Sequence, residues 1–394
     1  MGYDGSYLGK IEKGVKPLTD DVIIQFKKAL NAPMLPLTDE EEILFKQQLY
    51  DWKDMISQGD IEEAKEMQHQ ISRCASLLES KELKNLYDVF LIIFYRVTKN
   101  DDVADEEMKK LKMQEMFFND ESSYWYNRQI GVHAHRQLRY KDALQAFLRS
   151  EKKGEKLSLN NGGLYYNISY CLTVMGFSSI AIDYISKAQE YYNVAGITSN
   201  NIHLKSFLSE NYYNTGRNQQ ALQLLKGCLQ EEQNSKFGEA TIGITYRHIA
   251  IVNYQMNDLV NALKNIEISI TRTKENKIAY ADSIYWKAKI LDTEGNTKEA
   301  ISCLEKGIIE IEPNTIKYVL LKAKMQSLRL NEETSLPYLD NTAFPMLEEY
   351  GYYLNALDLY EAIYNHFKVT NKRKAWPYAT RIIELSEKLR KGVL

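Results

Sequence analysis

Carboxamide, aromatic and charged side chains recur along this 394-residue chain in a pattern suited to holding a ligand rich in peptide groups. Asn167, Asn214, Asn253 and Asn365 each carry an amide that can both donate to and accept from a backbone. Tyr166, Tyr170, Tyr254 and Tyr285 offer apolar walls with a polar tip. Arg128, Glu210, Arg247, Lys289 and His135 add charge or a titratable ring for a ligand's termini and side chains. The chemistry such a set supports is recognition. No phosphate-binding loop, dinucleotide fingerprint, metalloprotease pair or nucleophile elbow occurs, so no catalytic residue and no cofactor are expected. His133 and His135 lie two apart and face different directions on a helix, which excludes a paired metal site. Cys74, Cys171, Cys228 and Cys303 are widely spaced, as expected of small buried hydrophobes in a reducing cytoplasm.

Composition narrows the elements that can position these residues. Gly and Pro, 19 and 7 in number, make up near 7% of the chain against an average of about 12%. A hairpin-rich β fold needs more of both, so helix is expected throughout. The net charge of −3 excludes a polycation built to coat nucleic acid. No apolar run approaches the ~18 residues of a membrane span.

A short segment, Ala followed four residues later by an apolar side chain, recurs at Ala104, Ala143, Ala181, Ala221, Ala262 and Ala300 at intervals of 38 to 41 residues. Ala64 heads a weaker copy, a last copy is read at Ala379 with Ile383, and the missing member is expected near Pro337 to Glu349. In the clearest unit, Leu164 to Leu172 is a first helix, Met175 to Phe177 a turn and Ile180 to Ala188 a second helix. Gly176, Gly216 and Gly295 stand five residues before their alanines, where a positive φ can end the first helix. Alanine then lets two helices cross closely. Such hairpins cannot bury their apolar faces alone, so they must stack.

This pattern resembles the tetratricopeptide repeat, with longer loops between units; the match is best at Tyr165, Tyr166, Asn167, Ile168, Gly176, Ala181 and Ala188, and at Gly131, Ala143 and Phe147. The resemblance implies an all-α right-handed superhelix of about nine hairpins whose first helices line the concave wall. Counting back from each alanine by the repeat spacing places Arg128, His135, Tyr166, Asn167, Tyr170, Glu210, Asn214, Arg247, Asn253, Tyr254, Tyr285, Lys289 and Asn365 on that wall. Two alternatives stand beside peptide contact: Asn167 and Asn365 occupy a position where the repeat itself uses Asn between helices, and Arg128 and Arg247 can instead pair with the next unit. The run Lys372-Arg373-Lys374 is read as a solvated loop.

Residues 1–36 differ. Ser6-Tyr7-Leu8-Gly9-Lys10-Ile11-Glu12-Lys13-Gly14 and, further on, Leu30-Asn31-Ala32-Pro33 resemble the second half of a Cro/repressor-type helix-turn-helix, whose first two helices would precede Met1. If those helices exist, Tyr3, Ser6, Tyr7 and Lys10 would face DNA. A domain of this type (1–36) joined to a repeat domain (37–394) resembles the peptide-pheromone receptors of low-GC Gram-positive bacteria, the Rap, NprR, PlcR and PrgX group, and NprR-type members most. The resemblance implies a cytoplasmic receptor for a short re-imported signalling peptide, switching self-association and transcription. It also implies, as the alternative, a partner of the sporulation phosphorelay's response regulator docking around Glu40 to Gln70. Gln47 and Gln48 occupy the hairpin comparable to the catalytic bundle of some Rap phosphatases, but sit in an ordinary amphipathic helix expected from Glu40 to Met55.

Overall fold

The computed structural model describes residues 37–75, 78–194, 199–234 and 237–392. The segment expected to resemble a helix-turn-helix, with Tyr3, Ser6, Tyr7 and Lys10, lies outside them, and the expected boundary at 36/37 falls at their edge. The described residues form helices and no strand. They divide into two compact units, with the division between Gln129 and Ile130.

The N-terminal unit holds α1 (Asp39–Gln58), α2 (Ile61–Ala75), α3 (Lys81–Val97), α4 (Asp101–Lys112) and the start of α5 (Asp120–Arg136). Its aromatic core includes Trp52, Phe90, Tyr124 and Tyr126, all buried, and the Trp52 indole donates to the Ala64 carbonyl at 2.9 Å. Thr38 and Glu41 cap α1 reciprocally, which sets its start just ahead of the apolar face. Gln47 is exposed and bonds Asp51 on the same helix at 2.9 Å.

The C-terminal unit runs through α6 (Tyr140–Leu157), α7 (Gly162–Met175), α8 (Ser178–Val194), α9 (Ser199–Asn214), α10 (Asn218–Asn234), α11 (Glu239–Gln255), α12 (Leu259–Thr273), α13 (Lys277–Thr293), α14 (Thr297–Ile309) and α15 (Ile316–Ser327). It continues as α16 (Ser335–Tyr338), a π turn (Leu339–Ala343), α17 (Phe344–Tyr350), α18 (Tyr353–Thr370) and α19 (Lys372–Lys391). Side chains of Asn161, Asp258, Asn276 and Thr315 cap helix starts, so Gly and Pro are little needed there.

One turn geometry repeats. A residue with positive φ stands five positions before a fully buried alanine in the pairs Gly59/Ala64, Lys99/Ala104, Leu138/Ala143, Gly176/Ala181, Gly216/Ala221, Asn257/Ala262, Gly295/Ala300 and Gly351/Ala356. In each, the next amide reaches back to the last turn of the preceding helix, as Phe177 to the Leu172 carbonyl at 2.9 Å and Tyr352 to Leu347 at 2.7 Å. The copy read at Ala379 and Ile383 is corrected: Ile383 is 60% exposed, and the turn recurs instead at Gly351 and Ala356. The reason is the interposed α15 and the π-turned segment after it, which the forty-residue period does not anticipate. Lys372-Arg373-Lys374 is likewise no loop but the exposed first turn of α19, capped by the Asn371 side chain.

The unit also closes on itself. Arg139 donates to Glu349 at 3.1 Å and lies over the Tyr350 ring, Tyr140 meets Tyr352 at 5.5 Å between centroids, and Phe177 meets Tyr353 at 6.0 Å. A Cβ on Gly176 would stand 2.7 Å from Leu354, and one on Gly351 3.1 Å from the Lys141 nitrogen, so both glycines are required by close approach as well as by φ.

Two stability changes follow. A Cβ on Gly131 would fall 2.4 Å from the fully buried Phe147 ring, so Gly131→Ala is expected to cost about 1–3 kcal/mol in urea denaturation. Lys99 is exposed and holds φ 62, so Lys99→Gly is expected to stabilise by about 1 kcal/mol in the same measurement.

Candidate functional site

A cavity of about 290 Å³ lies inside the C-terminal unit. The first helices of successive hairpins line it at helical spacing: Tyr166 and Tyr170 on α7, Phe207, Glu210 and Asn214 on α9, Thr245, Arg247 and His248 on α11, and Asp282 and Tyr285 on α13. Glu232 of α10, Lys317 of α15 and Tyr352, Leu354 and Asn355 also line it, as do Tyr140 of α6 and Ser206 of α9.

Charge in the wall is arranged in two ways. Asp282 is saturated, with Lys317 Nζ at 2.5 Å and Arg247 Nη1 at 3.8 Å, while Arg247 also donates to the Ala279 carbonyl at 3.3 Å. Burial lowers the Lys317 ammonium, and Asp282 pulls it part of the way back. The two glutamates are less well served. Glu210 makes no ion pair within 4 Å among the described residues; desolvation pushes its carboxyl up to about 7, against the pull of Arg247 and a hydrogen bond from Tyr213. Glu232, 1% exposed, accepts from Thr245 Oγ1 at 2.8 Å through one oxygen, while Oε2 has no hydrogen-bond partner among the described residues. Burial raises it to about 7 as well. Asn214 Nδ2 and the Tyr352 hydroxyl are the other unpartnered side-chain polar atoms in the wall among those residues. Buried polar groups are rarely left unmade, so these three atoms mark where an occupant would bond.

His248 shares a hydrogen bond with Tyr213 at 3.1 Å, and burial followed by Arg247 lowers it to about 3, so it is neutral near pH 7. Behind the wall, Asp358 gathers Lys289 at 2.5 Å, Tyr285 at 2.6 Å and Lys324 at 3.5 Å. Burial alone would raise that carboxyl, but Lys324 and Lys289 hold it below the usual carboxylate range. No helix among the described residues is long and apolar enough to cross a membrane.

No protein-family model matches the chain and no curated relative matches it. Solved structures do. NprR in complex with its cognate peptide NprX superposes with a TM-score of 0.77 at 20% identity, covering 87% of this chain and 99% of that one. The apo form of the quorum sensor NprR from B. thuringiensis gives 0.64 at 22%, covering 88% and 100%. A Rap protein complexed with competence and sporulation factor gives 0.72 at 13%, covering 88% and 99%. The chain has the fold of NprR and the Rap proteins.

Within this NprR-like fold, the structure brings Tyr166, Tyr170, Glu210, Asn214, Arg247 and Tyr285 to one cavity. His135 packs edge-on against Tyr170 at 4.8 Å, and burial lowers its pKa. The remaining expected residues lie elsewhere. Asn167 is half-buried on α7 outside the lining, Asn253 is 8% exposed within α11, and Tyr254 bonds Thr293 at 3.1 Å. Lys289 is committed to Asp358, and Asn365 is exposed and accepts from Lys368 on its own helix at 2.9 Å. Arg128 belongs to the N-terminal unit, its guanidinium 5.0 Å from the Trp125 ring. The pairing alternative is realised for Arg247, whose partner Asp282 stands on the next hairpin.

Sequence reasoning missed Asp282, Glu232, Lys317 and Tyr352. Asp282 could have been found, since it lies one turn before Tyr285 on the same face. Lys317 could not, because no alanine signature follows α15, and Tyr352 reaches the cavity only through the closure of the unit.

Glu210 and Glu232 predict a pH dependence with a definite sign. Both folded-state values are raised from 4.5 to about 7, so the stability they confer is full below pH 4.5 and is lost as pH rises to about 7. The thermal midpoint of the ligand-free protein is expected to fall over that window, and Glu232→Gln to flatten the fall.

Proposed function

We propose that this protein is an intracellular receptor for a short signalling peptide, held in the cavity of its C-terminal unit. The observation that carries the reading is the set of three unsatisfied polar atoms, Asn214 Nδ2, Glu232 Oε2 and the Tyr352 hydroxyl, in the wall of a tyrosine-lined hollow. An amide donor beside aromatic walls suits a peptide backbone, which presents one acceptor and one donor per residue. The fold supports it: the structures it resembles include NprR with NprX and a Rap protein with competence and sporulation factor.

In this reading the peptide binds one arrangement of the stacked hairpins better than another and so shifts self-association and, through the helix-turn-helix resemblance of residues 1–36, transcription in the cytoplasm. The peptide-binding residues are Tyr166, Tyr170, Glu210, Asn214, Arg247 and Tyr285. The second reading is a phosphorelay interaction protein that sequesters a sporulation response regulator through the exposed face of α1 and α2 without DNA binding.

Titration calorimetry with the synthetic C-terminal heptapeptide of a small secreted-peptide gene adjacent to this one tests the receptor reading. Saturable heat at micromolar peptide is expected. Asn214→Ala should weaken binding roughly tenfold, about 1.4 kcal/mol, with the thermal midpoint unchanged. No heat at high micromolar peptide would sink the receptor reading.

A further inference from the structure

The cavity has a closed seam and a groove outside it. At about 290 Å³ the inner space stands at the low edge of the ~300–1,000 Å³ usual for ligand pockets. An extended peptide of six residues is about 20 Å long, so it cannot lodge there until the walls separate. On the outer side lies a second, more open groove of about 590 Å³, whose lining includes Arg139, Ile278, Ile316, Lys317, Met346 and Tyr350. Among the described residues, Lys317 is the one that lines both spaces. Its ammonium lies against Asp282 and 4.9 Å from the Tyr352 ring, so this one side chain stands between groove and cavity.

The contacts that keep the seam shut are of a kind that can part. No backbone hydrogen bond between described residues crosses it. The Arg139–Glu349 pair is exposed, with the glutamate side chain 59% accessible, and ion pairs of that kind contribute little. The rest is ring against ring, Tyr140 on Tyr352 and Phe177 on Tyr353, and Leu354 seated on Gly176. Both sides of the seam lead directly into the cavity wall, through Tyr140 on one side and Tyr352 to Asn355 on the other.

We propose that the contact of residues 139–141 and 176–177 with residues 349–355 is a gate, and that a ligand passes from the outer groove into the cavity, past Lys317, when the gate opens. As a route for peptide this rests on the receptor reading above; as a moving part of the fold it does not. The gate sets how fast the cavity exchanges its contents. Parting the seam also frees Tyr140 and Tyr352 to separate, which gives the enlarged space an extended ligand requires.

A measurement independent of any peptide decides whether the gate exists. In a Ser206→Cys variant, the new thiol lies in the cavity wall, where the serine is 9% exposed. Its alkylation by a small bimane reagent is followed by peptide mapping, which separates it from Cys74 and Cys303. Adding Tyr352→Ala is expected to speed labelling at position 206 threefold to tenfold, and Glu349→Ala, which removes an exposed pair, about twofold. Glu305→Ala, which breaks the exposed Arg329–Glu305 pair away from the seam, is expected to leave it unchanged. Equal labelling in all these variants, or equal acceleration by the Glu305 control, would overturn the gate. Should Tyr352→Ala fail to fold, the exposed Glu349→Ala still decides.

A second arm tests passage of peptide. Arg139→Cys with Glu349→Cys, joined by a cleavable bifunctional thiol reagent, is expected to slow peptide association and dissociation at least tenfold, with recovery on cleavage. Unchanged rates would show that peptide enters elsewhere and would overturn the route. If the unmodified protein binds no peptide at all, the receptor reading fails alone, while labelling at position 206 still reveals whether the gate opens.

Discussion

Two helices crossing over a single methyl group is the constraint on which the rest of this structure depends. At Ala143, Ala181, Ala221, Ala262, Ala300 and Ala356 the side chain is wholly buried, and any larger one would push the pair of helices apart. The crossing in turn requires the chain to reverse within a few residues, and a positive-φ residue five positions earlier makes that reversal. Because turn and crossing are locked together, each hairpin presents its first helix at a repeated angle. The stripe of residues facing the cavity is a by-product of that repetition, and so is the depth at which Glu210, Arg247 and Asp282 are placed.

Much of this was legible from the chain, and the failures have physical causes. The alanine period is local, so it identified the hairpins and the helices that carry Tyr166, Tyr170, Glu210, Asn214, Arg247 and Tyr285. Glycine at 176, 216 and 295 announced the turns, whereas Lys99 and Leu138 adopt the same left-handed geometry with no such signal, and Asn257 does so as a residue type that tolerates it. Counting back by a fixed spacing failed where the face of the helix, rather than its distance from the alanine, decides exposure: Asn253 faces the interior of the unit and Asn365 faces solvent. Closure of the unit joins residues some two hundred positions apart, and no periodicity records it.

The electrostatics of the interior separate what holds the fold from what waits on an occupant. Asp358, gathering two lysines and a tyrosine, and Asp282, gathering Lys317 and Arg247, are self-contained clusters in which each carboxylate has its partners. Removing one member of such a group leaves an uncompensated charge in a poor solvent. Glu232 and Asn214 differ because each still has an atom to offer. The same low dielectric that penalises these atoms while empty strengthens any bond they form.

The π turn at Leu339–Ala343 bears on how such a molecule can vary. One residue more than a regular helical turn is accommodated there with Leu339 and Ala343 still buried, so the helix continues while everything after it rotates about its axis. Pro345 follows at the start of α17, where a missing amide hydrogen is harmless. A single inserted residue in a β ladder would turn an entire strand inside out. In a helical stack it only re-aims the next segment, here Tyr352 to Asn355, onto the opposite wall. Helical solenoids can therefore acquire a new contact across their own interior by changing length by one residue, without relearning how any hairpin packs.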